Sequence, residues 1–362
     1  MREDGIIRQN MQQQGLVKKA VVGLLYPLLD AILPVKLAHR LKIAMNTLVG
    51  DWRMTCPYTF LPDPSGRKYS FDEFMSIFSG LDGCSHDCAE KFYFCSMQMP
   101  QIPLEVGRMF FYNYTYFKPS WIKNDKLKRR MRKDLVRFMK SYGVECVVEA
   151  AHYHHGVRLL DKRLHNYIAG RCIMDVGACK GDSSIALHSY LPSKIFAFEP
   201  SAGNRKAYCK TMARAGIVPD DYELLPFGLG DSEAIASFDD IGGMGNNLGD
   251  EGTDVCKIIR LDSFWEERKI DVGLIKIDIE GMGELMIRGA LKTIEHCRPV
   301  LCLAIYHHAS ELCETTRFLR EHLKEYHFAL RCLGQFDTCQ ETTLIAWPTE
   351  IFDGLCAEEC KD

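Results

Sequence analysis

The stretch DVGACKGDSS, residues 175–184, decides the fold, because a short apolar strand turns into a helix within it. Gly177 and Gly181 let the backbone approach a ligand closely, and the N-terminus of the following helix offers N–H groups without a partner inside the helix. Glu199 closes the next predicted strand, in FAFEP, 24 residues after Asp175. An acidic side chain at that place suits the two hydroxyls of a ribose. These residues therefore predict a binding site for a cofactor that contains adenosine.

The same residues distinguish between two classes of cofactor. A dinucleotide-binding fold would place G-x-G-x-x-G after the strand, whereas Gly177 and Gly181 are four residues apart and Asp175 precedes the first. A carboxylate that faces the turn would repel a pyrophosphate but would attract the ammonium end of S-adenosylmethionine. We therefore expect S-adenosylmethionine as the cofactor. A nicotinamide-dependent oxidoreductase is the alternative, and it would also require a parallel last strand.

Short apolar segments alternate with helical ones after about residue 165. Strands that alternate with helices predict an α/β protein with a mostly parallel sheet covered on both faces. The last two predicted strands are too close in sequence for a crossover helix, so we expect them to pair antiparallel. A hairpin and a Gly-rich loop are expected within 232–260. The predicted strands are 172–176, 194–198, 222–227, 274–279, 300–305, 328–333 and 342–347, and the predicted helices include 183–190, 202–215 and 310–325.

A second chemical signal is DVGLIKIDIEG, residues 271–281. On a strand, Lys276, Asp278 and Glu280 would share one face. Three charges on a buried strand would be costly to desolvate, so we expect them at its carboxyl end, where a parallel sheet opens into its ligand crevice. The alternative is a lysine–carboxylate network that only supports the loop.

A third signal is LAIYHHASEL, residues 303–312, which places His307 and His308 at the end of the following strand. An imidazole there can accept a proton near neutral pH. Asp278 or His307 is therefore the candidate general base, and Glu280 and Lys276 are the candidates for orienting the acceptor. Asp278 and Glu280 could also hold a divalent cation, although no metal is assigned.

From about Asp175 to Pro348 the chain resembles the FkbM-type methyltransferases, a branch of the class I S-adenosylmethionine-dependent methyltransferases. The resemblance rests on DVGACKGDSS, FAFEP, the LD of RLDSFW, KIDIEGMGELMIRGA and ETTLIAWP. It implies a Rossmann-like, doubly wound, seven-stranded sheet with an antiparallel last strand. It also implies O-methylation of a hydroxyl on a sugar, a glycan or another small natural-product acceptor.

The resemblance also assigns cofactor contacts. The methionine end of the cofactor would lie against Asp175, Gly177, Ala178 and Gly181, the ribose against Glu199, and the adenine near Asp231. Cys179 and Lys180 depart from the family pattern, which more often has an asparagine and an apolar residue at these positions.

The charge of the 362-residue chain is divided between two halves. Residues 1–150 carry a net charge of +7, whereas residues 151–362 carry −10. We predict a basic, mostly helical N-terminal region of unknown role over 1–150 and the methyltransferase domain over 151–362. The acidic half suits a cationic cofactor, and the basic half is a candidate for acceptor recognition, self-association or membrane contact.

Two segments of the basic half suggest possible partners. Residues 15–46 contain an apolar run of about 16 residues that prolines interrupt, which is too short to cross a bilayer, so we expect a docking helix or contact with an anionic membrane surface. Between Lys118 and Lys140, ten basic residues share an amphipathic pattern, which gives either a solvated face or a surface for an anionic partner. Methylation of bases often uses an N-P-P-Y-type loop where this chain has D-I-E-G, which argues against nucleic acid.

A third class of function is a binding or scaffold protein that has lost catalysis, and the intact carboxylates of KIDIEG argue against it. The charged start MREDG is not followed by an apolar core, so no secretory signal and a cytoplasmic location are expected. The 16 cysteines form no C-x-x-C pair, which argues against a zinc ribbon. The sequence carries no signal for the oligomeric state.

Overall fold

The computed structural model describes residues 65–93, 125–238, 248–249, 254–334 and 341–351. All of them belong to one contact unit, Leu61–Asp362. The predicted membrane-surface segment 15–46 and most of the Gly-rich loop lie outside the described residues, so both stay predictions.

The described residues form eleven strands. In chain order they are β1 (Cys172–Val176), β2 (Lys194–Phe198), β3 (Tyr222–Leu225), β4 (Phe227–Leu229), β5 (Ala234–Phe238), β6 (Leu248–Gly249), β7 (Asp254–Ile259), β8 (Val272–Ile277), β9 (Val300–Ala304), β10 (Tyr326–Cys332) and β11 (Thr342–Pro348).

Ten α-helices lie in the described residues. They are α1 (Phe71–Ile77), α2 (Gly83–Tyr93), α3 (Asp125–Tyr142), α4 (Lys162–Ile168), α5 (Asp182–His188), α6 (Ala202–Ala215), α7 (Leu261–Arg268), α8 (Gly283–Arg288), α9 (Leu291–Cys297) and α10 (Ala309–His322). A π-helical turn over Glu149–Tyr153 continues into a 3-10 helix over His154–Leu159, and a second 3-10 turn spans Pro219–Asp221.

Seven strands make the central sheet, in the order β3-β2-β1-β8-β9-β11-β10. The pairs from β3 to β9 are parallel, whereas β11 is antiparallel to both of its neighbours, β9 and β10. The predicted α/β fold with a seven-stranded sheet and an antiparallel last strand is confirmed. Val176 at the end of β1 pairs with Phe198 of β2 and with Ile277 of β8, so the carboxyl ends of these strands are level. Residues that follow them therefore meet at one edge.

A second sheet of four strands, β4-β7-β5-β6, was not predicted as a separate unit. The predicted strand 222–227 is in fact two strands. Pro226 separates them, because proline has no N–H to donate to a strand ladder, and the chain leaves the central sheet there. The expected hairpin within 232–260 is present as the antiparallel pair of β5 and β7.

The described part of the N-terminal half packs against the sheet. Ser70 caps the N-terminus of α1, because its side chain accepts a hydrogen bond from the backbone N–H of Glu73. α2 lies along β10, the edge strand, where Ser85 Oγ accepts a hydrogen bond from the N–H of Leu330. This contact covers an edge that would otherwise expose unpaired backbone groups. The predicted domain boundary at residue 150 stays a prediction, since described residues on both sides of it are in contact.

Candidate active site

The turn after β1 lies at the carboxyl edge of the central sheet. The backbone N–H groups of Gly177 and Ala178 both donate to the carbonyl oxygen of Phe198, at 3.0 and 3.1 Å. These hydrogen bonds join the turn to the end of β2. The turn is therefore held beside Glu199, the residue that follows the end of β2.

Both glycines of the turn have positive φ angles and crowded surroundings. Gly177 has φ +76°, and a Cβ there would overlap the carbonyl oxygen of Asp278. Gly181 has φ +91°, and a Cβ there would come within 2.7 Å of Met212 Cε. Larger residues would therefore meet both backbone strain and steric overlap. The close approach also means that the backbone of Asp278 touches the turn directly.

Asp175 and Lys276 form a buried ion pair beneath the turn. Lys276 Nζ lies 3.2 Å from Asp175 Oδ1 and donates to the carbonyl oxygen of Gly177 at 2.8 Å. Ser184 donates to the other carboxylate oxygen of Asp175 at 2.6 Å. Burial alone would lower the pKa of Lys276, but the negative charges of Asp175 and Asp278 raise it above its ordinary value. Lys276 is therefore a cation that supports the turn from below, which matches the alternative role considered for it.

Glu199 lies buried beside the same turn. Its carboxylate accepts hydrogen bonds from the backbone N–H groups of Cys179, at 2.9 Å, and Ser201, at 2.8 Å. Burial raises the pKa of Glu199 although these hydrogen bonds act in the opposite direction. Glu199 thus holds the turn and the start of α6 together.

Asp278, Glu280 and His307 come together where β8 and β9 end. The strand alternation predicted for 274–279 stops at Ile277, so Asp278 and Glu280 stand in the following turn, where Glu280 has φ +52°. His307 Nε2 lies 3.8 Å from Asp278 Oδ1 and 3.5 Å from Glu280 Oε2. The carboxylate side chains of Asp278 and Glu280 remain 24% and 29% exposed, so both face a space that a ligand can enter.

His307 is buried and held from the other side of its ring. Its Nδ1 lies 2.9 Å from Glu311 Oε2, on the first turn of α10. Burial would lower the pKa of His307, but the carboxylates of Glu311, Asp278 and Glu280 raise it to about 9. His307 is therefore protonated at neutral pH, and its buried Nε2–H has no hydrogen-bond partner among the described residues.

The comparison with protein-family models found a match over residues 175–330, to the methyltransferase FkbM domain. These residues contain the turn, Glu199 and the Asp278–Glu280–His307 cluster. Over these residues the chain is similar to the FkbM methyltransferases.

Solved structures similar to this chain include three methyltransferases. The FkbM methyltransferase from Methylobacillus flagellatus KT is 16% identical, covering 80% of this chain and 82% of that one, with a TM-score of 0.42. The O-methyltransferase TomG from Streptomyces achromogenes, involved in tomaymycin synthesis and solved in complex with SAM, is 13% identical, with 63% and 91% coverage and a TM-score of 0.37. An O-methyltransferase from Bacillus cereus in complex with SAH is 11% identical, with 63% and 92% coverage and a TM-score of 0.35. The search of curated proteins found no match.

Asp231, the predicted adenine contact, lies beside the second sheet. It follows β4, is exposed, and accepts a hydrogen bond from its neighbour Ser232 at 3.1 Å. Its backbone packs against Gly289, where a Cβ would overlap the carbonyl oxygen of Gly230. Its predicted position near the adenine stays a prediction.

Residues outside the predicted set complete the carboxyl edge. Glu149 is buried, accepts a hydrogen bond from Thr343 Oγ1 at 2.9 Å, and lies 3.4 Å from His155 Nδ1. Glu341 is within hydrogen-bond reach of Glu149, and burial together with the charge of Glu149 raises the pKa of Glu341 well above its ordinary value. Sequence reasoning gave these residues no role, because Glu149 and His155 belong to no motif and Glu341, the first residue of ETTLIAWP, comes beside Glu149 only in the folded sheet.

Within the described ranges, no group of three or more His, Cys, Asp or Glu residues is arranged to hold a metal ion. The same part of the chain contains no helix that is long and apolar enough to cross a membrane.

Proposed function

We propose that the FkbM domain transfers a methyl group from S-adenosylmethionine to a hydroxyl of a sugar, a glycan or another small acceptor. The observation that carries this proposal is the contact between the Gly177 turn and the backbone of Asp278. It puts the turn that would hold the cofactor directly beside the polar cluster that would hold the acceptor. A methyl transfer needs this adjacency, because the acceptor oxygen must lie in line with the bond that breaks.

The crevice suits S-adenosylmethionine by charge. Asp278 and Glu280 present carboxylates at the open side of the turn, where their side chains remain 24% and 29% exposed. Such a surface would attract a sulfonium and an ammonium group and would repel a pyrophosphate. When bound, S-adenosylmethionine supplies an electrophilic methyl group.

Glu199 retains the capacity to bind a ribose. An ionised carboxylate has about four lone-pair sites, and two backbone N–H groups and the side chain of Asn204 occupy three of them. The remaining site can accept a hydrogen bond from a ribose hydroxyl. Glu199 would therefore hold the ribose while it also fixes the turn.

Asp278 is our candidate for the general base. A base must be deprotonated before it can accept a proton, and the raised pKa of His307, about 9, keeps that imidazole protonated at neutral pH. His307 would instead donate its free Nε2–H to the acceptor oxygen or to the carboxylates of Asp278 and Glu280. Glu311 would position His307 through the hydrogen bond to Nδ1.

The test is a pair of measurements on the full chain. Calorimetric titration should detect binding of S-adenosylmethionine but not of NAD, and a methyl-labelled cofactor should label one member of a panel of hydroxylated acceptors. Asp278→Asn should lose at least about 100-fold in turnover, far more than it loses in cofactor affinity. Unchanged turnover would remove Asp278 as the base, whereas cofactor binding without labelling of any acceptor would favour the binding or scaffold function.

A further inference from the structure

The segment His154–Gly156 has an unusual backbone. His154, His155 and Gly156 have φ angles of +50°, +55° and +94°, so two consecutive histidines occupy the left-handed region. L-amino acids avoid this region unless the surroundings impose it. The segment packs against α5, β9 and β11. It is therefore held beside the helix that begins directly after Gly181.

The ring of His155 is buried, and only one of its nitrogens has a partner. Nδ1 lies 3.4 Å from Glu149 Oε2. Nε2 is buried and has no hydrogen-bond partner among the described residues. The neighbouring His154 differs, because its Nδ1 is hydrogen-bonded to Tyr190 at 2.9 Å. A buried polar atom without a partner is rare in folded proteins, and a ligand is one way to satisfy it.

The position of His155 is at the edge that carries the FkbM site. Its partner Glu149 accepts a hydrogen bond from Thr343, which pairs with Ala304 at the carboxyl end of β9. Lys276 and Asp278 are close enough for their charges to act on the ring of His155. Burial would lower the pKa of His155, but the charge of Glu149 and its hydrogen bond raise it above its ordinary value, which favours the charged form of the ring.

In its charged form, His155 would bind an anionic group of a ligand. S-adenosylmethionine carries one anionic group, the α-carboxylate of its methionine moiety. Lys276 cannot serve this group, because its Nζ is already bound to Asp175 and to the carbonyl oxygen of Gly177. His307 is a poorer candidate, because the carboxylates of Asp278 and Glu280 already lie 3.8 and 3.5 Å from its Nε2. We propose that His155 binds the α-carboxylate of S-adenosylmethionine through Nε2–H, an inference that rests on the proposed function.

The test compares two ligands that differ only in this group, S-adenosylmethionine and decarboxylated S-adenosylmethionine, by calorimetric titration of the full chain. The variant is His155→Asn, because asparagine tolerates the left-handed backbone. Loss of a hydrogen bond to a charged group should weaken S-adenosylmethionine binding about tenfold or more and leave the decarboxylated ligand unaffected. His154→Asn, with the same backbone conformation, should bind both ligands like the wild type.

The ratio of the two affinities is measured on one preparation, so a partly unfolded variant does not distort it. The inference is supported if the affinity for S-adenosylmethionine, divided by that for the decarboxylated ligand, falls towards one in His155→Asn but not in His154→Asn. A wild-type ratio that persists in His155→Asn overturns it and leaves the proposed function intact. Failure of the wild type to bind either ligand overturns both.

Discussion

Lys276 and Asp175 form an ion pair that solvent does not reach, with 3.2 Å between Nζ and Oδ1 and exposed side-chain fractions of 2% and 0%. The pair joins β8 to β1 directly below the Gly177 turn. Ser184 binds the same carboxylate, and Tyr208 donates to Ser184 at 2.9 Å, so α5 and α6 are tied to the pair. One buried charge pair thus links four elements that surround the Gly177 turn.

Removal of the Lys276 ammonium group should strongly lower the free energy of unfolding. In Lys276→Met the carboxylate of Asp175 would be buried without its cation, which typically costs about 3–5 kcal/mol. We expect a fall of this size in the free energy of unfolding, measured by urea denaturation. The double variant Asp175→Asn/Lys276→Met should cost less than the sum of the single variants. The control is Lys257→Met. Lys257 forms a half-exposed ion pair with Glu233, so its loss should lower the free energy of unfolding by less than about 1 kcal/mol. A cost of that small size for Lys276→Met would contradict the assigned role.

Gly177→Ala separates backbone strain from steric overlap. Gly177 and Gly170 share a φ of +76°, but a Cβ at Gly170 meets nothing within 4 Å, whereas one at Gly177 overlaps the carbonyl oxygen of Asp278. Gly170→Ala should lose about 1–2 kcal/mol of unfolding free energy, the cost of a left-handed alanine. Gly177→Ala should lose clearly more and should also weaken cofactor binding. Equal losses in the two variants would show that the turn does not depend on this contact.

The raised pKa of His307 makes stability depend on pH. Its pKa is about 9 in the folded protein against 6.5 for the free side chain. The stabilisation is therefore fully present below pH 6.5 and is lost as the pH rises through 9. The shift corresponds to about 3 kcal/mol at most. Unfolding free energies measured from pH 6 to 10 should fall less steeply in His307→Gln than in the wild type, while the exposed His296→Gln should keep the wild-type slope. An unchanged slope in His307→Gln would contradict the charged state assigned here.

Arg331 fastens the N-terminal helices to the edge of the sheet. Its guanidinium is buried and binds both carboxylate oxygens of Asp82, at 2.6 and 3.1 Å. Lysine cannot reproduce this two-point contact, so Arg331→Lys should lose about 2 kcal/mol of unfolding free energy in urea. Arg288→Lys is the control, since Arg288 is exposed and pairs with Glu284 at the surface, where we expect less than about 1 kcal/mol. Similar losses in both variants would mean that the buried Arg331–Asp82 pair contributes no more to stability than an exposed pair does.

Much of the fold was predictable from local patterns. The bounds of β1, β2 and α6 were predicted to within a residue or less at each end, because each is a short apolar or periodic segment between clear turn or cap residues. The second sheet was missed, since Pro226 interrupts one apolar run and the sequence does not say that the two halves join different sheets. The antiparallel pairing of β10 and β11 was predicted from their closeness in sequence, whereas the position of β11 between β9 and β10 was not predicted.

The sequence by itself determined which residues are candidates for the site, because they stand in consecutive motifs: the turn at 177–181, Glu199, and the carboxylates after β8. Only the tertiary structure decided where their side chains lie. Lys276 and Asp278 are two residues apart, yet one lies beneath the turn and the other in the crevice, because β8 ends between them. His155 and Glu149 precede every motif and reach the site through contacts with α5, β9 and β11. The pKa of each group depends on charges that are distant in sequence and close in space, and no local pattern encodes those distances.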